Sequence, residues 1–156
     1  MRQKNLYLLC GPAASGKSTF VNNSLKKIHG IHISRDTVRF NIVSEKEDYF
    51  SHEKEVFNEF IRYIKEGLIL YDNVFVDATH LNEKSRNKVL NRLNLDNVNV
   101  IPVNFIIPVE TCLERNQLRK GRERVPEDVI IRMHKTFVPA NFNEKYTYKD
   151  ILFVKE

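Results

Sequence analysis

Gly11-Pro12-Ala13-Ala14-Ser15-Gly16-Lys17-Ser18 carries the required residue at every fixed position of the phosphate-binding pattern G-x-x-x-x-G-K-[ST]. The apolar run Leu6-Tyr7-Leu8-Leu9-Cys10 precedes it and a helical segment over residues 17–27 follows, so it joins a buried strand to a helix N-terminus. Glycines let the backbone wrap an anion without a Cβ in the way. The helix start adds unpaired N–H donors and the positive end of its dipole. In that setting Lys17 is expected to reach the β- and γ-phosphates of ATP, and the Ser18 hydroxyl to ligate Mg²⁺. The expected nucleotide-binding residues are therefore Gly11, Pro12, Ala13, Ala14, Ser15, Gly16, Lys17, Ser18 and Thr19. A glycine-rich turn that binds nothing would not explain this spacing together with its flanks.

Outward from the loop, the pattern alternates strand and helix. Residues 5–10 read as strand one, and Gly30 ends the helix after the loop. Residues 31–33 read as a short second strand, with Ser34 or Asp36 placed to cap the helix that follows. Residues 50–71 bring Phe57, Phe60, Ile61, Ile64, Leu68 and Tyr71 to one face of a long helix, which Gly67 weakens. Val74-Phe75-Val76 is a continuous apolar run of the kind buried in parallel sheets, and Asn82 suits the cap of a helix over residues 83–95. A strand over residues 98–107 is expected to be interrupted or begun late by Pro102. A helix over residues 109–119 leads into the charged loop Lys120-Gly121-Arg122-Glu123-Arg124. Pro126 suits the first turn of a helix ending near Val138, and residues 151–154 can close the sheet. The expected fold class is α/β, one domain over residues 1–156 with a parallel sheet, helices on both faces and a basic lid. The second strand is expected beside the loop of the first.

At 156 residues the chain suits one domain with its own core. Its 25 Lys and Arg against 20 Asp and Glu give a formal charge of +5, compatible with a polyanionic partner and equally with ATP alone. No apolar run approaches membrane-spanning length, and the run after Arg2 and Lys4 is too short for a signal peptide. Cys10 and Cys112 are isolated in apolar settings, which points to reduced core residues, a cytoplasmic compartment and no membrane partner.

Asp36 follows the second strand, on the sheet edge where α/β folds hold ligands. A carboxylate there can accept the proton of a hydroxyl that attacks a γ-phosphoryl group; its structural alternative is a helix cap. Arg35 and Arg39 flank it, and Arg39 shares its helical face, where it could hold an anionic group of the acceptor or form a surface ion pair. Asp77 ends an apolar strand, the position of a residue that holds Mg²⁺ directly or through water. Thr79 and His80 follow it as candidate substrate contacts, or as turn residues. Arg115 and Arg119 have the i, i+4 spacing of one helix face and precede the charged loop. A lid there would place an arginine on the transferring phosphoryl group; a solvated helix face is the alternative. His29, His32, His52 and His134 show no metal-ligand spacing.

Taken in order, G-x-x-x-S-G-K-S-T-[FW] at residues 11–20, R-D-x-x-R at 35–39, D-x-T-[NH]-L-N at 77–82, E-R-N-x-x-R-x-G at 114–121 and V-P-x-D-V at 125–129 resemble the kinase domain of the phage polynucleotide 5′-hydroxyl kinase family and its bacterial repair relatives. The resemblance implies a P-loop kinase fold, with Lys17 and Ser18 on phosphates and Mg²⁺. It implies Asp36 as general base, Arg39 on the acceptor phosphate and Arg119 as the lid arginine. It also implies ATP as donor and the 5′-hydroxyl ends of DNA or RNA as acceptors. The sequence shows no D-x-D-x-T phosphatase motif, so the two-domain phage arrangement is not expected. Two other functions use the same core. One is phosphorylation of a nucleoside or another small hydroxyl compound; the other is a nucleotide-binding switch or assembly module. A switch would call for a water-positioning residue, whereas this sequence offers an acceptor-side base and a lid.

Overall fold

In the computed structural model, which describes residues 2–156, the apolar run before the loop is β1 (Lys4–Cys10), the middle strand of a five-stranded sheet. The chain continues through α1 (Lys17–Leu25), β2 (Ile31–Ser34), α2 (Arg35–Ile42), α3 (Glu53–Leu70), β3 (Asn73–Asp77) and α4 (Glu83–Leu90). It ends with β4 (Val98–Ile106), α5 (Val109–Gln117), a 3₁₀ turn at Gly121–Glu123, α6 (Glu127–Thr136) and β5 (Leu152–Lys155). The strand order is β2-β3-β1-β4-β5, and every pairing is parallel. β3 lies between β1 and β2, which corrects the expectation that the second strand sits beside the loop of the first. Val74, Phe75 and Val76 are at most 1 % exposed and take the interior place, while the four-residue β2 takes the edge.

Side chains of successive strand residues point to opposite faces. Leu6, Leu8, Ile33, Val74, Val76 and Val100 enter one layer, closed by Val38 of α2, by Phe57, Phe60, Ile61 and Ile64 of α3, and by Val89 and Leu90 of α4. Leu9, Phe75, Val103 and Phe105 enter the other, closed by Val21 of α1, Cys112 of α5 and Ile130 of α6. Cys10 and Cys112 are free thiols buried in these layers, as expected.

Several boundaries differ from the sequence pattern, each for a local reason. α3 begins at Glu53, because residues 44–51 turn instead of continuing the helix. α4 stops at Leu90, and Leu93 and Leu95 reach the core from the connection after it. α5 stops at Gln117, which leaves Arg119 beyond the helix. Pro102 does not break β4. Val100 accepts a hydrogen bond from the Lys149 N–H (2.9 Å) on the β5 side, so Pro102, two residues on, also directs its missing N–H away from β1. β5 begins its pairing one residue later, Leu152 against Val103, so the proline removes no ladder bond.

After α6 the chain crosses to the first layer before entering β5. Asn104, fully buried in β4, bonds both the N–H and the carbonyl of Ala140 (3.0 Å each). Arg86 of α4 pairs in two-pronged fashion with Glu144 (2.6 and 3.0 Å), their side chains 0 and 3 % exposed, and Tyr148 donates to the same carboxylate (2.7 Å). Arg86 also donates to the His80 carbonyl (2.9 Å), tying this buried pair to the loop after β3. Arg86→Met is expected to cost about 3–5 kcal/mol, since it leaves Glu144 buried and unpaired. Urea denaturation of Arg86→Met should show a larger loss than the double variant Arg86→Met/Glu144→Met; an equal or smaller loss would mean the carboxylate is not truly desolvated.

Candidate active site

The carboxyl ends of β1, β2 and β3 bring three loops together. The first is the Gly11–Ser18 loop, in which Ala14 (φ 63°) and Gly16 (φ 96°) are left-handed. A positive φ at alanine is uncommon and marks a backbone held by its surroundings. A Cβ at Gly11 would lie 2.8 Å from the Phe105 Cβ, and one at Gly16 would lie 3.1 Å from Arg115 Nη1. Glycine is therefore enforced at residue 11 by close packing against Phe105 and at residue 16 by the left-handed dihedral angle. Gly16 is the N-cap of α1 and offers no capping side chain, so the first-turn N–H groups of Lys17, Ser18 and Thr19 remain open to an anion. The Ser15 hydroxyl is buried and unpartnered among the described residues, a further polar group inside this concavity.

Lys17 is 9 % exposed, and its ammonium donates to the Gly11 and Pro12 carbonyls (2.9 and 2.8 Å), which closes the loop on itself. Burial lowers its pKa, opposed by the charges of Asp77 and Asp36; Arg119 pushes the same way as burial. The loop is braced from below by the segment after β3. The Gly11 N–H donates to the Thr79 carbonyl (2.8 Å), and the His80 Nδ1–H donates to the Leu9 carbonyl (2.6 Å). Of the two residues expected as substrate contacts, Thr79 supplies this brace through its carbonyl, and His80 is only 4 % exposed, its Nε2 buried without a partner among the described residues.

Ser18 donates to Asp77 Oδ2 (3.0 Å), and the same oxygen meets His32 Nε2 at 2.7 Å. Although burial pushes its pKa up, the His32 hydrogen bond and the Lys17 charge hold the Asp77 carboxyl below its ordinary value. An ionised carboxylate beside a hydroxyl at a helix start is the hard oxygen donor set that suits Mg²⁺. His32 escaped the sequence reading, because one histidine on a short strand carries no spacing signal.

At the end of β2, Ser34 caps α2 by accepting the Thr37 N–H (3.3 Å), which leaves Asp36 free of that duty. The Asp36 side chain is 63 % exposed, and the Arg39 side chain 8 %. Arg39 Nη1 donates to Asp36 Oδ1 (2.7 Å) and to the Tyr49 hydroxyl (3.3 Å), while Nε and Nη2 donate to the two Glu53 oxygens (2.8 and 3.0 Å). Arg35 Nη2 joins Glu53 at 3.2 Å, and its Nε is buried and unpartnered among the described residues. Burial opposes it, but the Arg39 hydrogen bonds and charge hold the Glu53 carboxyl below its ordinary value. As found, Arg39 is no free surface cation: it fixes the base candidate, and Glu53 at the start of α3 fixes Arg39. Glu53 and Tyr49 were not among the residues singled out from sequence.

The charged segment, expected as a lid, is folded against its neighbours. Asn116 bonds Val125 in both directions (2.6 and 2.9 Å), pinching the base of the loop, and Arg122 donates to the Val43 and Phe40 carbonyls at the end of α2. Arg115 lies against Gly16, and Arg119 has one long bond, 3.4 Å to the Glu123 carbonyl. Among the described residues no group of three His, Cys, Asp or Glu forms a metal cluster, and no helix is long and apolar enough to cross a membrane.

A family model described as AAA domain matches residues 6–140. The chain belongs to that family. Its fold is that of the P-loop kinases, shared with solved structures of differing activity. A fungal RNA kinase is similar at 17 % identity and TM-score 0.64, over 99 % of this chain and 39 % of its own. A chain of the Pnkp1/Rnl/Hen1 RNA repair complex is similar at 19 % identity and TM-score 0.71, over 93 % and 51 %. The gluconokinase from Sinorhizobium meliloti 1021 is similar at 16 % identity and TM-score 0.60, over 99 % and 84 %. This AAA-family chain therefore spans 39 to 51 % of those RNA-enzyme chains. No curated protein matches it in sequence.

His80 gives the site a pH signature. Burial is the main cause of a pKa pushed down to about 4 from the ordinary 6.5, so the folded state holds the ring neutral. The unfolded chain binds the extra proton between these values. The stabilising contribution is complete above pH 6.5 and is lost as pH falls towards 4. Between pH 7.5 and 5 the loss from this group should be about 2 kcal/mol. His80→Asn, which tolerates the left-handed φ of 41° at this position, should lack that portion of the slope in urea titrations at the two pH values. An identical slope in both proteins would mean the ring is solvated.

Proposed function

We propose that this protein transfers the γ-phosphoryl group of ATP to the 5′-hydroxyl of DNA or RNA. The observation that carries the proposal is the exposed Asp36 carboxylate, fixed by a buried arginine and close enough to the phosphate loop for its charge to bear on Lys17. The N–H groups from Ala13 to Thr19 would receive the triphosphate, with Gly11 and Pro12 shaping the loop and Lys17 turning from its loop carbonyls to the β- and γ-phosphates. Ser18 and Asp77 would hold Mg²⁺, which supplies neutralising charge at the phosphates when bound. Asp36 Oδ would accept the proton of the attacking hydroxyl. Arg119, weakly tethered in the lid, would meet the charge that builds on the transferring group, and Arg115 would contact the nucleotide beside Gly16. For Arg39 to serve an acceptor phosphate, its Tyr49 or Asp36 contact must be exchanged for a phosphate oxygen. The likeness to a fungal RNA kinase and to a chain of an RNA repair complex, with the +5 charge, supports a nucleic-acid acceptor.

A second reading, a small-hydroxyl kinase, is supported by the likeness to a gluconokinase. The deciding assay offers γ-labelled ATP with 5′-hydroxyl oligonucleotides, nucleoside 3′-monophosphates, plain nucleosides and gluconate. Label on oligonucleotides and 3′-monophosphates supports the proposal; label on nucleosides or gluconate alone replaces it with the second reading.

Two variants test the roles. Asp36→Asn should slow transfer roughly 10²–10⁴-fold with ATP affinity nearly intact; a loss confined to ATP binding would remove Asp36 from the acceptor side. Arg119→Ala should lower kcat more than it raises the KM for ATP, since its contact strengthens in the transition state. A change in KM alone would make it an ordinary binding residue.

A further inference from the structure

We infer that Phe50, with Tyr49 behind it, forms a stacking seat for the terminal nucleobase of the acceptor; the inference rests on the polynucleotide reading above. The Phe50 ring is 64 % exposed. A single exposed apolar side chain is ordinary, and Ile69 and Leu70 are likewise exposed at the far end of α3, by the amino ends of the strands. Phe50 differs in its neighbours. The Tyr49 ring packs against it at 4.8 Å and 80°, and the Arg39 guanidinium lies 5.6 Å from its centre and 4.8 Å from that of Tyr49. The Tyr49 hydroxyl donates to Asp36 Oδ1 at 3.2 Å. One side-chain cluster thus joins an exposed aromatic face, a cation and the carboxylate that would accept the proton.

A nucleotide carries the matching groups in the same sequence: a 5′-hydroxyl for Asp36, a 3′-phosphate for the arginines and a flat base. A sugar acceptor would bring only C–H groups to an aromatic face, with no flat π-system to stack on it. Every base has a π-face, so such a seat selects for nucleotides without selecting among sequences. The Arg39 guanidinium over both rings adds a cation–π contribution to the stack.

The test compares two 5′-hydroxyl oligonucleotides that differ only in whether the terminal residue bears a base or is abasic. Wild-type protein should use the base-bearing one about 10- to 100-fold better in kcat/KM, the range expected from stacking on an aromatic side chain. Phe50→Ala should raise KM for the base-bearing acceptor and bring the two substrates together, whereas Phe50→Trp should keep them apart. Equal use of both by the wild type overturns the inference and leaves the polynucleotide reading intact. An equal fall on both in Phe50→Ala also overturns it, since that marks a structural role. Failure of the wild type on every oligonucleotide and 3′-monophosphate removes the polynucleotide reading and this inference with it.

Discussion

A backbone that keeps its N–H groups unpaired for an anion must be held still by everything except those N–H groups. The Gly11–Ser18 loop meets this constraint through its other polar atoms. Lys17 holds the Gly11 and Pro12 carbonyls, His80 holds the Leu9 carbonyl at its entrance, and the Thr79 carbonyl takes the Gly11 N–H. The brace is itself braced, because Arg86 binds the His80 carbonyl and is neutralised by Glu144 in the interior. A buried ion pair far along the chain is therefore part of what shapes the phosphate loop. Its cost in desolvation is offset by the two-pronged geometry and by the Tyr148 hydrogen bond on the same carboxylate.

The acceptor side is built on the same principle with charges in place of carbonyls. Asp36 stands mostly in solvent, where an isolated carboxylate samples many orientations. Arg39 removes that freedom, and Glu53 removes the freedom of Arg39 in turn. Since Glu53 opens α3, whose apolar face fills one whole layer of the core, the orientation of Asp36 is anchored in hydrophobic packing. The arrangement balances two cations, Arg35 and Arg39, with two carboxylates, so the cluster is nearly neutral as found. An anion arriving here must displace one of those carboxylate or hydroxyl contacts, and this favours a ligand with several groups in fixed relation over a lone phosphate.

What could be read from sequence was what depends on local pattern. The strand-loop-helix around Gly16, the face of α3, the cap at Asn82 and the positions of Asp36 and Asp77 at strand ends all follow from spacing along the chain. Strand order did not, because it is decided by which strand can be buried on both sides, and the apolar middle of β3 outcompetes the short β2. Pro102 was misjudged because its effect depends on the side to which its missing N–H points. His32, Tyr49, Glu53 and the Arg86–Glu144 pair belong to contacts between elements distant in sequence, where single polar residues carry no periodic signal. His80 was legible as a residue near the site, but its inward aim depends on the left-handed φ that residue 80 adopts.

The lid joins these two halves. Arg122 donates to the carbonyls that end α2, with its guanidinium 4.6 Å from the Phe40 ring centre, and α2 is the helix that carries Asp36 and Arg39. Carbonyls at a helix C-terminus have no partner within the helix and sit at the negative end of its dipole, so a cation there satisfies both. At the other end of the same short loop, the Asn116–Val125 pair fixes its stem beside Arg115 and Arg119. The eight residues between Asn116 and Val125 are tied at their base beside Gly16 and at their tip to α2, so a shift at one end is transmitted to the other. Under the proposed reaction, movement of the lid over ATP and placement of the acceptor base are then coupled by the same two contacts, which lets occupation of either half favour occupation of the other.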